Sequence, residues 1–205
     1  MTEKYDRAAE RFTEEEYGDP GRYFARRAEI VLCLGPPLLP GETLLDLACA
    51  DASFAEPVLA AGLRYVGVDA SERMVNVARS RVGGRARIEL GDLDSYCPDE
   101  PVATTTIFRS LHLVSDRAAF FRHVGGFTEK KLVFDVSPRR DSLAEVRSEL
   151  RAAGFERIAM RPFFVPQHYA LPRPLAAALQ AAERAGPLAR LLLAFKFACV
   201  CAAWR

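Results

Sequence analysis

The sequence predicts a doubly wound α/β protein: a seven-stranded sheet, mostly parallel with an antiparallel final strand, and helices on both of its faces. Three observations predict it. Between residues 43 and 154, short apolar runs of strand length alternate with stretches whose apolar residues recur at helical spacing, the order that folds into a parallel sheet covered on both sides. Acidic residues close the first of these runs, where such sheets present their ligand-binding edge. Beyond residue 154 the alternation stops, and a strand, a proline-opened helical stretch and a returning strand suggest an antiparallel edge.

Taken in order, the elements begin with a polar helical segment and a helix over residues 23–34, which ends at the breaker Gly35-Pro36-Pro37. Strands at 44–47, 65–68, 87–90, 104–108 and 131–135 then alternate with helices at 54–61, 72–80, 117–124 and 142–153, the last stopped by Gly154. Residues 157–165 read as a strand. Pro172 and Pro174 open a helix rich in alanine and leucine, and residues 195–204 read as the final strand. No repeat or linker divides the chain, so residues 1–205 read as one domain, with 1–40 as a helical cap and 166–195 as an inserted lid.

Composition narrows the functions open to it. The 28 Lys and Arg against 27 Asp and Glu leave a formal charge of +1, without the basic field that dominates nucleic-acid affinity, so DNA and RNA are disfavoured partners. The five cysteines, Cys33, Cys49, Cys97, Cys199 and Cys201, form no CxxC pair and have no histidines at ligand spacing; they read as reduced thiols in a cytoplasm, with no metal site. The N-terminus is charged throughout, unlike a secretory signal. Residues 188–204 are apolar but broken by Arg190 and Lys196, short of the roughly 20 residues that cross a bilayer, so no membrane partner is expected.

The residues that carry chemistry stand at the strand ends. Asp46, Asp69 and Asp92 follow the first three strands at intervals of 23 residues. A carboxylate about 20 residues beyond a strand-to-helix loop suits a ribose, because it accepts hydrogen bonds from both vicinal hydroxyls. Each acid alone could equally cap the turn that follows it.

The segments LLDLACADASFAEPV, YVGVDASERM and IELGDLDS resemble the cofactor motifs of class I S-adenosylmethionine (SAM)-dependent methyltransferases, a Rossmann-like family. The resemblance implies SAM as cofactor, with its methionine part along Asp46, Ala48, Cys49, Ala50, Asp51 and Ala52, its ribose on Asp69 beside Ala70, and its adenine amino group near Asp92. Met74, Gly91 and Leu93 would border the adenine, although a helical methionine serves equally well as core. IFRSLHLVSD resembles the stretch after the fourth strand, where Phe108 and Arg109 would border the sulfonium and the acceptor. The family's N-terminal helix folds over SAM, which brings in Tyr5, Tyr23 and Arg27, the arginine for the methionine carboxylate. The family loop reads Asp-x-Gly-x-Gly-x-Gly, whereas this chain has Ala48, Ala50 and Ala52 at the glycine positions. The loop keeps its shape if none of the three requires positive φ.

The resemblance implies methyl transfer to a small, partly apolar molecule. No Asn-Pro-Pro-Tyr motif follows the fourth strand, and Thr104, Thr105 and Thr106 stand where a Mg²⁺-binding carboxylate cluster would be expected, so a metal-independent reaction is favoured. His112, His168 and Tyr169 are the candidate catalytic residues, placed to contact the acceptor. Phe163, Phe164, Tyr169, Leu171, Leu175 and Leu179 would furnish a lid and pocket, or ordinary core. The alternative function is a catalytically silent methyltransferase-like binding module, and a homodimer is the remaining candidate assembly.

Overall fold

The computed structural model describes residues 9–186, 189 and 198–205. The first eight residues of the cap, most of residues 187–195 of the expected lid, and residues 195–197 of the expected last strand lie outside the described residues.

A single-turn 3₁₀ segment, Ala9–Arg11, leads into α1 (Phe12–Glu16) and α2 (Pro20–Cys33). The core then runs β1 (Thr43–Leu47), α3 (Ala55–Ala60), β2 (Arg64–Asp69), α4 (Glu72–Val82), β3 (Arg87–Leu90), β4 (Val102–Ile107), α5 (Arg117–Gly125), β5 (Thr128–Val136), α6 (Leu143–Ala152), β6 (Arg157–Phe163), α7 (Arg173–Ala182) and β7 (Ala198–Trp204). The sheet order is β3-β2-β1-β4-β5-β7-β6, with β7 antiparallel to both neighbours and the remaining pairings parallel. The antiparallel edge is formed as expected by the last two strands, with the final strand β7 inserted between β5 and β6, which closes the sheet.

Side-chain alternation explains how the sheet divides the core. Leu45 and Leu47 face a layer with Phe120, Phe121, Val146 and Leu150 from α5 and α6, whereas Leu44 faces Ile30, Val31, Val58 and Val75 from α2, α3 and α4. β7 does the same: Cys199 and Cys201 point to the first layer, Val200 and Ala202 to the second.

The helices start where the sequence supplies caps. Asp19, Ser71, Asp116 and Ser142 each accept a hydrogen bond from the backbone N–H three residues on, at 3.1, 3.1, 3.0 and 3.3 Å. Pro20 at the first turn of α2 starts that helix three residues before the expected position. Lys131, wholly buried in β5, donates to the Leu34 carbonyl at the C-terminal end of α2 (2.8 Å). Burial lowers its pKa to about 8.

Candidate functional site

The strand order reverses between β1 and β4, and the loops leaving the C-terminal ends of β1 to β5 diverge there, as ligand sites in open α/β sheets require. A cleft of about 680 Å³ occupies this position. That is within the roughly 300–1,000 Å³ of small-molecule sites.

The β1 loop forms its floor. Ala48, Ala50 and Ala52 all have left-handed backbones, with φ of 57°, 50° and 55°. The surroundings impose this conformation. Cys49 N–H donates to the Val68 carbonyl (2.9 Å), Ala50 N–H to Asp69 Oδ2 (2.8 Å), and Ala52 N–H back to the Cys49 carbonyl (3.0 Å). The loop thus holds the glycine-type path even though all three alanines are at positive φ, which costs each of them about 1–2 kcal/mol. The condition stated from sequence, that none of them requires positive φ, is not met.

Asp69 ties two loops together, since its other oxygen accepts Ser71 N–H at 2.9 Å. Asp46 is buried beneath the loop and accepts from Tyr65 Oη and Thr106 Oγ1, both at 2.6 Å. Burial outweighs these two hydrogen bonds and raises its pKa to about 6. Thr106 belongs to the buried β4 and supports this acid. Asp51 pairs with Arg81 at 2.8 Å. On the β3 side, Gly91 cannot carry a side chain: a Cβ there would lie 2.8 Å from Tyr96 Cδ2 and 2.9 Å from Val68 Cγ1.

The opposite wall is built around Arg27. Its guanidinium lies 4.2 Å from the centre of the Phe108 ring and 4.7 Å from that of Tyr23, and its Nη2 donates to Tyr23 Oη (2.7 Å) and Asp135 Oδ2 (2.6 Å). Its Nε is buried without a hydrogen-bond partner among the described residues. Asp135 also accepts Arg109 N–H through Oδ1 (2.6 Å), which holds Arg109 at φ 58°. The Arg109 guanidinium donates to Gln167 Oε1, whose amide nitrogen donates to Glu16 Oε2 at 3.2 Å.

Of the residues singled out from sequence, Arg27, Asp46, Ala48, Cys49, Ala50, Asp51, Asp69, Ala70, Met74, Gly91, Asp92, Leu93, Phe108, Arg109 and His112 line this one cleft. Tyr23 stands behind Arg27, off the wall, and Tyr5 is outside the described residues. His168 and Tyr169 are exposed and do not line the cleft, and neither do Leu175, which is 49% exposed, or Leu179. The helix α7 is anchored elsewhere: Glu183 at its C-terminal end pairs with Arg26, both buried, and accepts Phe164 N–H at 3.0 Å.

Sequence reading missed Asp135 at the end of β5, Ser137, Arg140 and Asp141 after it, and the aromatic wall of Phe12, Tyr17, Phe24 and Phe54. A signal existed for Asp135, the acid closing the fifth strand as Asp46 and Asp69 close the first two.

Residues 44–131 match the model of a methyltransferase domain family. The chain is similar to an uncharacterised methyltransferase of Geobacillus kaustophilus, 27% identical over 168 residues, covering 77% of this chain and 74% of that protein. Its fold is that of a Haloferax volcanii putative methyltransferase solved with the Trm112 activator (TM-score 0.68, 17% identity, 98% of this chain and 97% of that one). It is also that of the magnesium protoporphyrin IX methyltransferase of Synechocystis, solved with bound SAM (TM-score 0.63, 18% identity, 88% and 79%).

Proposed function

We propose that this chain is a class I SAM-dependent methyltransferase that binds SAM in this cleft and transfers the methyl group to a small, partly apolar acceptor without a metal ion. The observation that carries the reading is the convergence on one cleft of three strand-end acids, a left-handed β1 loop and an aromatic wall from the N-terminal helices and β4.

The methionine part of SAM runs along residues 46–52. The ribose hydroxyls donate to Asp69, whose oxygens, already taking the Ala50 and Ser71 amides, are fixed in place. The adenine lies between Met74 and Leu93, its amino group toward Asp92. Arg27, which lines the cleft, offers the methionine carboxylate a cationic partner, while Asp135 balances its charge. Phe108 and Arg109 border the sulfonium.

Methyl transfer from a sulfonium is an in-line displacement that disperses charge, so the protein accelerates it by aligning nucleophile, methyl carbon and sulfur rather than by a dedicated base. His112 is the acceptor-side candidate at the cleft, because His168 and Tyr169 stand away from it. Titration calorimetry tests the reading: SAM binds the wild type, and Asp69→Ala weakens it by about 1.5–3 kcal/mol, the range for charge-assisted hydrogen bonds. Equal affinity in a folded Asp69→Ala protein overturns the ribose assignment, and the absence of any SAM heat overturns the function.

A further inference from the structure

The arginines of the cleft are confined to one side of it. Asp46, Asp69 and Asp92 occupy the half formed by β1 to β3, where an acidic lining suits a cofactor that carries a sulfonium and an ammonium. The half formed after β4 and β5 holds Arg109, His112 and Arg140 beside Asp135 and Asp141.

The acids on that side are already engaged. Asp135 takes Arg27 and the Arg109 amide, each at 2.6 Å. Asp141 accepts Ser137 N–H at 2.9 Å and faces Arg117 at 3.5 Å. Among the described residues, neither Arg109 nor Arg140 forms an ion pair; Arg109 meets only the neutral amide of Gln167 through its side chain. His112 shares their surroundings: burial lowers its pKa, and Arg140 and Arg109 lower it further. Arg109 is also preorganised, held by Asp135 in a left-handed backbone that an arginine adopts only at a cost of about 1–2 kcal/mol.

We infer that the acceptor carries an anionic group, a carboxylate or a phosphate, held by Arg109 and Arg140 while its apolar body rests on the wall of Tyr17, Phe24 and Phe108. Two guanidiniums without carboxylate partners, open to the cleft, match the fork geometry with which arginine binds these anions. The inference rests on the methyltransferase reading for the identity of the ligand, but not for the existence of the anion site.

Benzoate, its neutral isostere benzamide, and inorganic phosphate are titrated into the full chain by calorimetry, with and without saturating S-adenosylhomocysteine. Benzoate or phosphate should bind at least about tenfold tighter than benzamide, and the preference should disappear in Arg140→Gln and in Arg109→Gln. A stronger benzoate signal assigns a carboxylate acceptor, a stronger phosphate signal a phosphorylated one. Benzamide binding as tightly as both anions, or an anion preference that survives both substitutions, overturns the proposal. Arg140 is exposed and outside the helices and strands, so Arg140→Gln decides the matter alone if Arg109→Gln does not fold. Failure of S-adenosylhomocysteine to bind, with the anion preference intact, counts against the cofactor reading only.

Discussion

The β1 loop makes a prediction in which removing a methyl group strengthens the protein. Ala48 and Ala50 are half-buried at φ of 57° and 50°. Each pays about 1–2 kcal/mol for the left-handed region. Glycine removes that strain but adds about 0.4–1 kcal/mol of unfolded-state entropy. The net gain is about 0.8 kcal/mol per site, or about 1.6 kcal/mol for Ala48→Gly/Ala50→Gly. At about 2–4 °C per kcal/mol for a chain of this length, the melting temperature rises by roughly 3–6 °C. Ala52 is different, because its methyl is buried in the core, and losing it costs about 0.8 kcal/mol, which cancels the gain. The control is Ala177→Gly, the same chemical change at an exposed position inside α7, which destabilises by about 1 kcal/mol. Scanning calorimetry on the three proteins decides it: a double variant that melts below the wild type, as the control does, refutes the strain argument.

Other outcomes follow from buried charges. Arg26→Ala leaves Glu183 buried and unpaired and should cost about 3–5 kcal/mol in urea unfolding, most of it recovered in Arg26→Met/Glu183→Gln. Asp46 has a folded pKa of about 6, above its ordinary 3.8, so between those values the folded state binds more protons; stability falls as pH rises through that window, by at most about 3 kcal/mol. In Asp46→Asn that slope should vanish from a pH series of unfolding curves. Lys131 titrates in the opposite sense. Its folded pKa of about 8 is below its ordinary 10.5, so the unfolded state binds more protons between them and stability rises with pH there, a rise that Lys131→Met should abolish. Leu175→Ala should leave SAM affinity unchanged and lower the melting temperature little, since the side chain is 49% exposed and off the cleft.

The sheet and its helices were legible because both periods are written into the chain: buried strands such as VATTTI against helices with capped starts. The strand-end rule brought Asp46, Asp69 and Asp92 to one cleft. Three things were not legible. The position of β7 between β5 and β6 depends on pairing that no local pattern encodes. The left-handed alanines depend on hydrogen bonds to Val68 and Asp69, 19 residues away along the chain, which override the local preference. The placement of α7 involves a pair 157 residues apart along the chain, Arg26–Glu183, and Leu175 and Leu179, spaced for a lid, lie off the cleft.

In the proposed complex SAM lies across the β1 loop with its ribose on Asp69. A crystal structure of the chain grown with S-adenosylhomocysteine tests it most directly. The ribose hydroxyls should lie within hydrogen-bonding distance of Asp69, the adenine beside Met74 and Leu93, and the homocysteine carboxylate near Arg27. A nucleoside bound elsewhere, or a cleft left empty at saturating ligand, would contradict it.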